Sequence, residues 1–236
     1  MKIFDRERVC TFIRGCRLGD YLRQFSIVAG GVIVTFWGSS LITEHTLQKQ
    51  VRTTMRLMIS EMRHNLDAVR GIEKLTAKDV HMASLLLDNN LDPASVPIDT
   101  LKAYMSFFSN MSEFKYKQDA LEVLKGSSQM QYIADKQMLQ DILQTYYSLA
   151  SLQTDIQNYY ELKSKVLYEA IYFSSRSKEE VIEFLNYDYS ENVAFLMTQP
   201  TFLSFVISVP GFIDWSEMDR LEKKLSEQIE FLEKMY

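Results

Sequence analysis

The chain has 236 residues and a net charge of −5, with 24% charged and 47% hydrophobic side chains but only 8 glycines and 4 prolines. Residues 1–43 carry six basic and three acidic side chains, a net of +3, so residues 44–236 sum to −8. An acidic body of this kind argues against nucleic acid as a partner, because the phosphate backbone must be met by Lys and Arg. The scarcity of Gly and Pro leaves little room for a turn-rich β architecture.

Residues 1–24 form a basic tail in which Phe4, Val9, Phe12, Ile13, Leu18 and Leu22 interleave with arginines. Two states are open for it, an amphipathic segment lying on a membrane surface or a loose leader. The stretch from Phe25 to Ile42 then runs without a charged side chain, bounded by Arg23 on one side and Glu44-His45 on the other. As a helix it reaches roughly 27 Å, enough for the hydrocarbon core of a bilayer. Three readings compete: an uncleaved signal anchor, a cleaved signal peptide with Gly38-Ser39-Ser40 as its small-residue site, and a core helix of a soluble protein. The long charged leader favours the anchor, and a core helix would need apolar neighbours on every face. The expectation is one transmembrane helix over residues 25–43.

Flanking charge sets its orientation. Lys2, Arg6, Arg8, Arg14, Arg17 and Arg23 precede the span, and Lys49, Arg52, Arg56 and Arg63 follow it. The bias predicts a single-pass protein with its N-terminus inside, in the cytoplasm, and residues 44–236 outside. Both cysteines, Cys10 and Cys16, precede the span, so the outer domain has no thiol to misbridge and no disulfide framework. Within the span, Ser26, Gly30 and Gly38 form one stripe of small residues, with Gly31, Thr35 and Ser39 beside it. Such stripes let two membrane helices approach closely, which points to self-association; the same residues are also common in membrane helices that do not pair.

Beyond the span, Val51, Met55, Met58, Met62, Asn65, Val69 and Ile72 step by alternating fours and threes, a heptad seam with one polar Asn. It fits a coiled coil between protomers or the core face of a helix in a bundle. Thr76 with Asp79 has the form of a capping box and predicts a fresh helix from 76 to about 87. Asn89 to Pro93 ends it, and helices follow over about 98–109 and 117–125, with a small turn or helix from Ser127 to Ile133. Asp135 caps the longest element, about 136–174, the spine of the outer domain. Ser177 to Glu180 starts a short helix through Leu185. A second uncharged run, 194–213, is long enough for another span, but Gln199, Pro200, Ser204, Ser208 and Pro210 favour a buried segment. Asp214 with Glu217 caps the last helix, whose Met218, Leu221, Leu225, Ile229, Leu232 and Met235 share a face. The fold expected is all-α, a transmembrane helix followed by an extended helical bundle.

Catalytic constellations are not visible in this pattern. His45, His64 and His81 lie far apart with no HxxxH and no cysteine partner, so no metal ligand set is expected. No phosphate-cradling glycine loop or nucleophile elbow occurs, and no cofactor is expected. Tyr146, Tyr147, Tyr159, Tyr160, Tyr168 and Tyr172 fall at helical spacings that suit core residues with polar tips or a tyrosine-lined groove.

The run Ala120-Leu121-Glu122-Val123-Leu124-Lys125-Gly126-Ser127-Ser128, then Tyr132-Ile133 and Leu139 through Tyr146-Tyr147, resembles an uncharacterised family of single-pass membrane proteins of Bacteroidetes-type bacteria, a domain of unknown function. In that pattern a helix ends in a small-residue turn, then an apolar step, then a helix with a Tyr-Tyr pair. Here Gly126 precedes the serines, where the family more often runs Ser-Ser-Gly. The layout is alike over residues 15–236 and specific over 118–147. The resemblance implies the tail, span and outer helical domain, and brings no catalytic residue. The function expected is a non-enzymatic, membrane-anchored interaction or scaffold module of the bacterial envelope. Its partners would be the lipid bilayer and either a second protein or another copy. The alternative is a ligand-sensing bundle that signals through the span to a separate partner.

Overall fold

The computed structural model describes residues 18–109, 111–172, 189–212 and 214–236. The described residues are mostly helical, with no strand among them. In chain order they form α1 (Leu18–Asp88), a 3-10 turn (Pro93–Ser95), α2 (Ile98–Ala103), α3 (Ser106–Ser109) and α4 (Asp119–Gly126). A second 3-10 turn (Ser128–Tyr132) leads to α5 (Lys136–Tyr172), followed by α6 (Tyr189–Leu196), α7 (Pro200–Phe212) and α8 (Trp215–Met235). The short helix expected after Ser177 lies outside the described residues. By contacts the chain separates into two units, residues 1–53 and 54–236.

In the first unit the described residues belong to α1, and their large apolar side chains are exposed from Tyr21 to Ile42. In the second unit the seam is a core face. Met55, Met58, Met62, Val69 and Ile72 are buried within this chain, so the heptad pattern is satisfied by intramolecular packing. The helix break expected at Thr76 does not occur, because α1 continues to Asp88. Thr76 is fully buried and donates its hydroxyl back to the carbonyls of Ile72 (2.9 Å) and Glu73 (3.1 Å). α1 ends instead in a Schellman-type turn, with Asn90 N–H on Leu87 O (3.1 Å) and Leu91 N–H on Leu86 O (2.8 Å). Asn90 and Leu91 both take left-handed backbone, φ 55 and 62, and Asn is a residue type that tolerates it.

Polar bonds fix how α1 meets its neighbours. Tyr146 of α5 bonds Glu61, and Tyr159 and Lys163 bond Asp79. Both partners rise in number together, so α5 lies parallel to α1. The 18 residues from 61 to 79 cover roughly 27 Å and the 17 from 146 to 163 roughly 25 Å, an in-register match. α8 runs the other way. Arg56 donates to the Tyr236 main-chain oxygen (3.1 Å), Arg63 pairs with Glu233, and Arg70 pairs with Glu222 (2.7 Å). Asp214 caps α8 by accepting from Ser216 N–H (3.0 Å) and Glu217 N–H (3.3 Å). The side-chain bond to Ser216 is the main reason its carboxyl is held below the ordinary value.

The second apolar run becomes α6 and the 13-residue α7, which packs chiefly on α5. Phe202, Phe205, Val206 and Val209 are buried, and the ring of Phe205 lies 6.0 Å from Phe107 and 5.9 Å from Tyr159. At about 20 Å, α7 is too short for a bilayer core, and burial accounts for its missing charges.

Candidate functional site: the apolar span and the buried polar bonds

Two features stand apart from ordinary core packing, one in each unit. The first is the apolar stretch of α1, the one helix among the described residues that is long and apolar enough to cross a membrane. Phe25 is 71% exposed, Phe36 73% and Trp37 69%. In water such a surface has no counterpart that would repay its hydration; in hydrocarbon it is solvated on every side. Two hydroxyls of this stretch, Ser26 and Thr35, and two just beyond it, Thr43 and Thr46, are bonded within the helix as lipid requires. Ser26 donates to Leu22 O (2.7 Å), Thr35 to Gly31 O (2.8 Å), Thr43 to Ser39 O (2.9 Å) and Thr46 to Ile42 O (2.8 Å). Each donor is met one turn back on its own helix.

Of the small residues singled out in the span, Ser26, Gly30, Gly31, Thr35 and Ser39 are exposed and Gly38 is half-buried. A methyl group added at Gly30, Gly31 or Gly38 would meet nothing within 4 Å. Among the described residues no close approach demands a glycine there.

The second feature is a series of buried polar bonds between α1 and the rest of the bundle. Nearest the start of the second unit, buried Glu61 accepts from Ala120 N–H (2.8 Å) at the first turn of α4 and from the Tyr146 hydroxyl. Burial first, and then the bond to Glu61, push the Tyr146 phenol well above its ordinary value, so it remains a donor. One turn on, Asn65 bridges the main chain of Lys117, donating to its carbonyl (2.8 Å) and accepting from its N–H (2.7 Å). The polar member of the seam thus holds the chain entering α4.

The third bond set is ionic. Lys163 is 0% exposed and Asp79 2%. The Lys163 ammonium donates to Asp79 Oδ2 (2.8 Å) and to Ser106 O (3.0 Å), and the Tyr159 hydroxyl donates to the same carboxylate oxygen (2.8 Å). The rings of Tyr160 and Phe107 lie 5.5 and 5.6 Å from the ammonium nitrogen, where their π faces attract it. Burial raises the Asp79 carboxyl and lowers the Lys163 ammonium, and in each case the partner's charge opposes the effect of burial. Burial also raises the Tyr159 and Tyr160 phenols. Of the two roles open to the tyrosines, Tyr146, Tyr159 and Tyr160 take that of core residues with polar tips. Tyr147 and Tyr168 are exposed. Sequence reasoning missed Lys163 and Glu61, because an isolated charge on an apolar helical face is no different in sequence from a solvated one. The only available signal is that Lys163 lies on the stripe of Tyr159, Val166 and Ala170.

Replacing Glu61 by Ala leaves the Ala120 N–H and the Tyr146 hydroxyl without an acceptor. At about 1–3 kcal/mol for each of the two buried orphans, a loss of roughly 2–6 kcal/mol is expected in urea unfolding. Tyr146→Phe, which leaves the Ala120 bond in place, is expected to cost about 1–2 kcal/mol.

Among the described residues no group of His, Cys, Asp and Glu could hold a metal ion. His45 and His64 are exposed, and His81 packs on the Tyr104 ring at 5.1 Å. An open groove of about 930 Å³ is lined by residues 91–98 with Leu101, Ala194, Met197 and Thr198. Its walls are mostly apolar, and none of the buried ionic residues lines it. No protein-family model, curated protein or solved structure matches the chain. Fold and site together define an all-α bundle with one N-terminal helix able to cross a membrane.

Proposed function

We propose that this chain is a non-enzymatic, membrane-tethered interaction module of the bacterial envelope, anchored by α1 in the inner membrane. Its N-terminus lies in the cytoplasm and its bundle in the periplasm. The observation that carries this is the stretch from Phe25 to Ile42, apolar and exposed, with the Ser26 and Thr35 hydroxyls bonded within the helix. Orientation rests on the six basic residues before the span. Two of the four basic residues after it, Arg56 and Arg63, are engaged by α8, which adds to the asymmetry. The resemblance of residues 118–147 to the single-pass family supports the same layout. The buried polar groups Glu61, Asn65, Asp79 and Lys163 are all engaged in bonds that hold the bundle together, which favours a scaffold whose ligand is the bilayer and whose second partner is a protein or another copy of the chain.

The test uses the native thiols. A membrane-impermeant maleimide is applied to cells permeable only at the outer membrane, then again after lysis. Cys10 and Cys16 are expected to label only after lysis, and labelling in intact cells would reverse the orientation. Crosslinking and co-purification of the full chain are then expected to return a reproducible partner or a dimer; a strictly monomeric, partnerless chain would remove the interaction reading.

A second reading, a ligand-sensing bundle that signals through the span to a separate cytoplasmic partner, is favoured by the groove beside the end of α1. Its size falls within the range of small-molecule sites. A small-molecule screen by thermal shift on the detergent-solubilised full chain decides it. A ligand that raises the melting temperature and loses its effect in Leu101→Asp would support sensing, and the absence of any such ligand would leave the scaffold.

A further inference from the structure

Local sequence and observed structure disagree at one point of α1, and the disagreement has a physical cause. Thr76 and Asp79 are spaced to start a helix: as an N-cap, Thr76 would accept from the Asp79 N–H while the Asp79 carboxylate accepted from the Thr76 N–H. In the structure neither side chain does this. Thr76 turns its hydroxyl back onto the carbonyls of Ile72 and Glu73, an arrangement that slightly weakens a helix and often bends it. Asp79 is committed elsewhere, to Lys163 and Tyr159 of α5. Little more than one turn before Thr76 stands Gly71, exposed and with open space around it, a residue that lowers helix stability where it stands.

We infer that α1 carries a latent hinge between Leu75 and Thr76, held shut by the engagement of Asp79 with Lys163 and Tyr159. Two arrangements compete for the same carboxylate. In one, Asp79 binds α5 and α1 runs straight through; in the other, Asp79 and Thr76 cap a helix that begins at Ala77. The second gives up the α1–α5 ionic bond and the helical bonds across 72–79, so it is the minor state. Anything that draws Lys163 away from Asp79 frees the cap and populates it. The device is a two-state element of the kind that local opening equilibria report.

Hydrogen exchange on the full chain in detergent micelles tests this. In the hinged state the amides of Ala77 and Lys78 lose their helical acceptors and gain no cap, so they are the reporters. Thr76→Val keeps the shape and nearly the same helix propensity while removing the capping oxygen. It is expected to slow exchange at Ala77 and Lys78 by about fivefold, the factor for one lost N-cap, and to leave residues 58–69 unchanged. Lys163→Met is expected to speed exchange at 77–78 beyond any change at 58–69, and adding Thr76→Val is expected to take away about the same fivefold. Unchanged exchange at 77–78 in Thr76→Val overturns the hinge. So does slowing spread evenly over α1, which would mark a general stabilisation.

Discussion

Lys163→Met is expected to cost the full chain about 3–5 kcal/mol in urea unfolding, because it leaves the Asp79 carboxylate buried without its cation. The side chain is 0% exposed and its ammonium bonds both Asp79 and the Ser106 carbonyl, so no water replaces the lost partner. The expected remedy is to remove the three polar side chains together, leaving only the Ser106 carbonyl without its donor. Asp79→Leu with Tyr159→Phe and Lys163→Met takes away the carboxylate, the cation and the hydroxyl that would otherwise be orphaned. This triple variant is expected to return to within about 2 kcal/mol of the parent, since a buried ion pair seldom outdoes apolar residues of similar volume. If Lys163→Met alone costs less than about 1 kcal/mol, the pair is not buried as described.

The pH dependence follows from the directions of the two shifts. Asp79 is raised by burial, so its contribution to stability is fully present below its unfolded value and is lost as pH rises through the raised one. Lys163 is lowered by burial, so its contribution is present above its unfolded value and is lost as pH falls through the lowered one. Between those two losses lies a middle window of pH in which neither contribution is present. Relative to the triple variant, the parent should therefore be least favoured in this middle window and gain on either side of it. Urea unfolding of both proteins across pH reads the difference, and a gap that does not change with pH would contradict the directions given.

The larger expected effect on location comes from the span. Ile33→Lys with Phe36→Lys puts two ammonium groups near the centre of the apolar stretch, at about 2.5–3.5 kcal/mol each on an insertion scale. The sum, roughly 5–7 kcal/mol, is enough to move most of the chain out of the membrane fraction on flotation. Both side chains are exposed, at 67% and 73%, so the packing of residues 54–236 is not expected to change. Ile33→Leu with Phe36→Leu, of similar apolarity, should float as the parent does. A double-lysine chain that still floats fully would deny that this stretch is the anchor.

Much of this architecture is legible in the residues alone. The charge-free run from Phe25 to Ile42, the seam from Met55 to Ile72, the Asp135 and Asp214 caps and the long apolar face of α5 each specify helix locally, through periodicity and capping that need no tertiary partner. The second uncharged run, 194–213, is ambiguous for a physical reason: lipid and a protein core select the same side chains. Only packing against α5 distinguishes them. Thr76 misleads because a capping box and a back-bonded threonine share one sequence, and the choice between them is made by Lys163, 84 positions beyond Asp79.

The sequence by itself determined that the chain is helical, that one N-terminal stretch suits a bilayer, and which faces are apolar, because each depends on residues within a few turns of one another. Tertiary structure alone decided that α5 lies parallel to α1 and α8 antiparallel, and that α1 runs unbroken through Thr76. It alone decided that Glu61, Asn65, Asp79 and Lys163 are buried as bonded partners. Those outcomes rest on pairings between groups 52 to 180 positions apart, whose energies arise only once water has been excluded from between them.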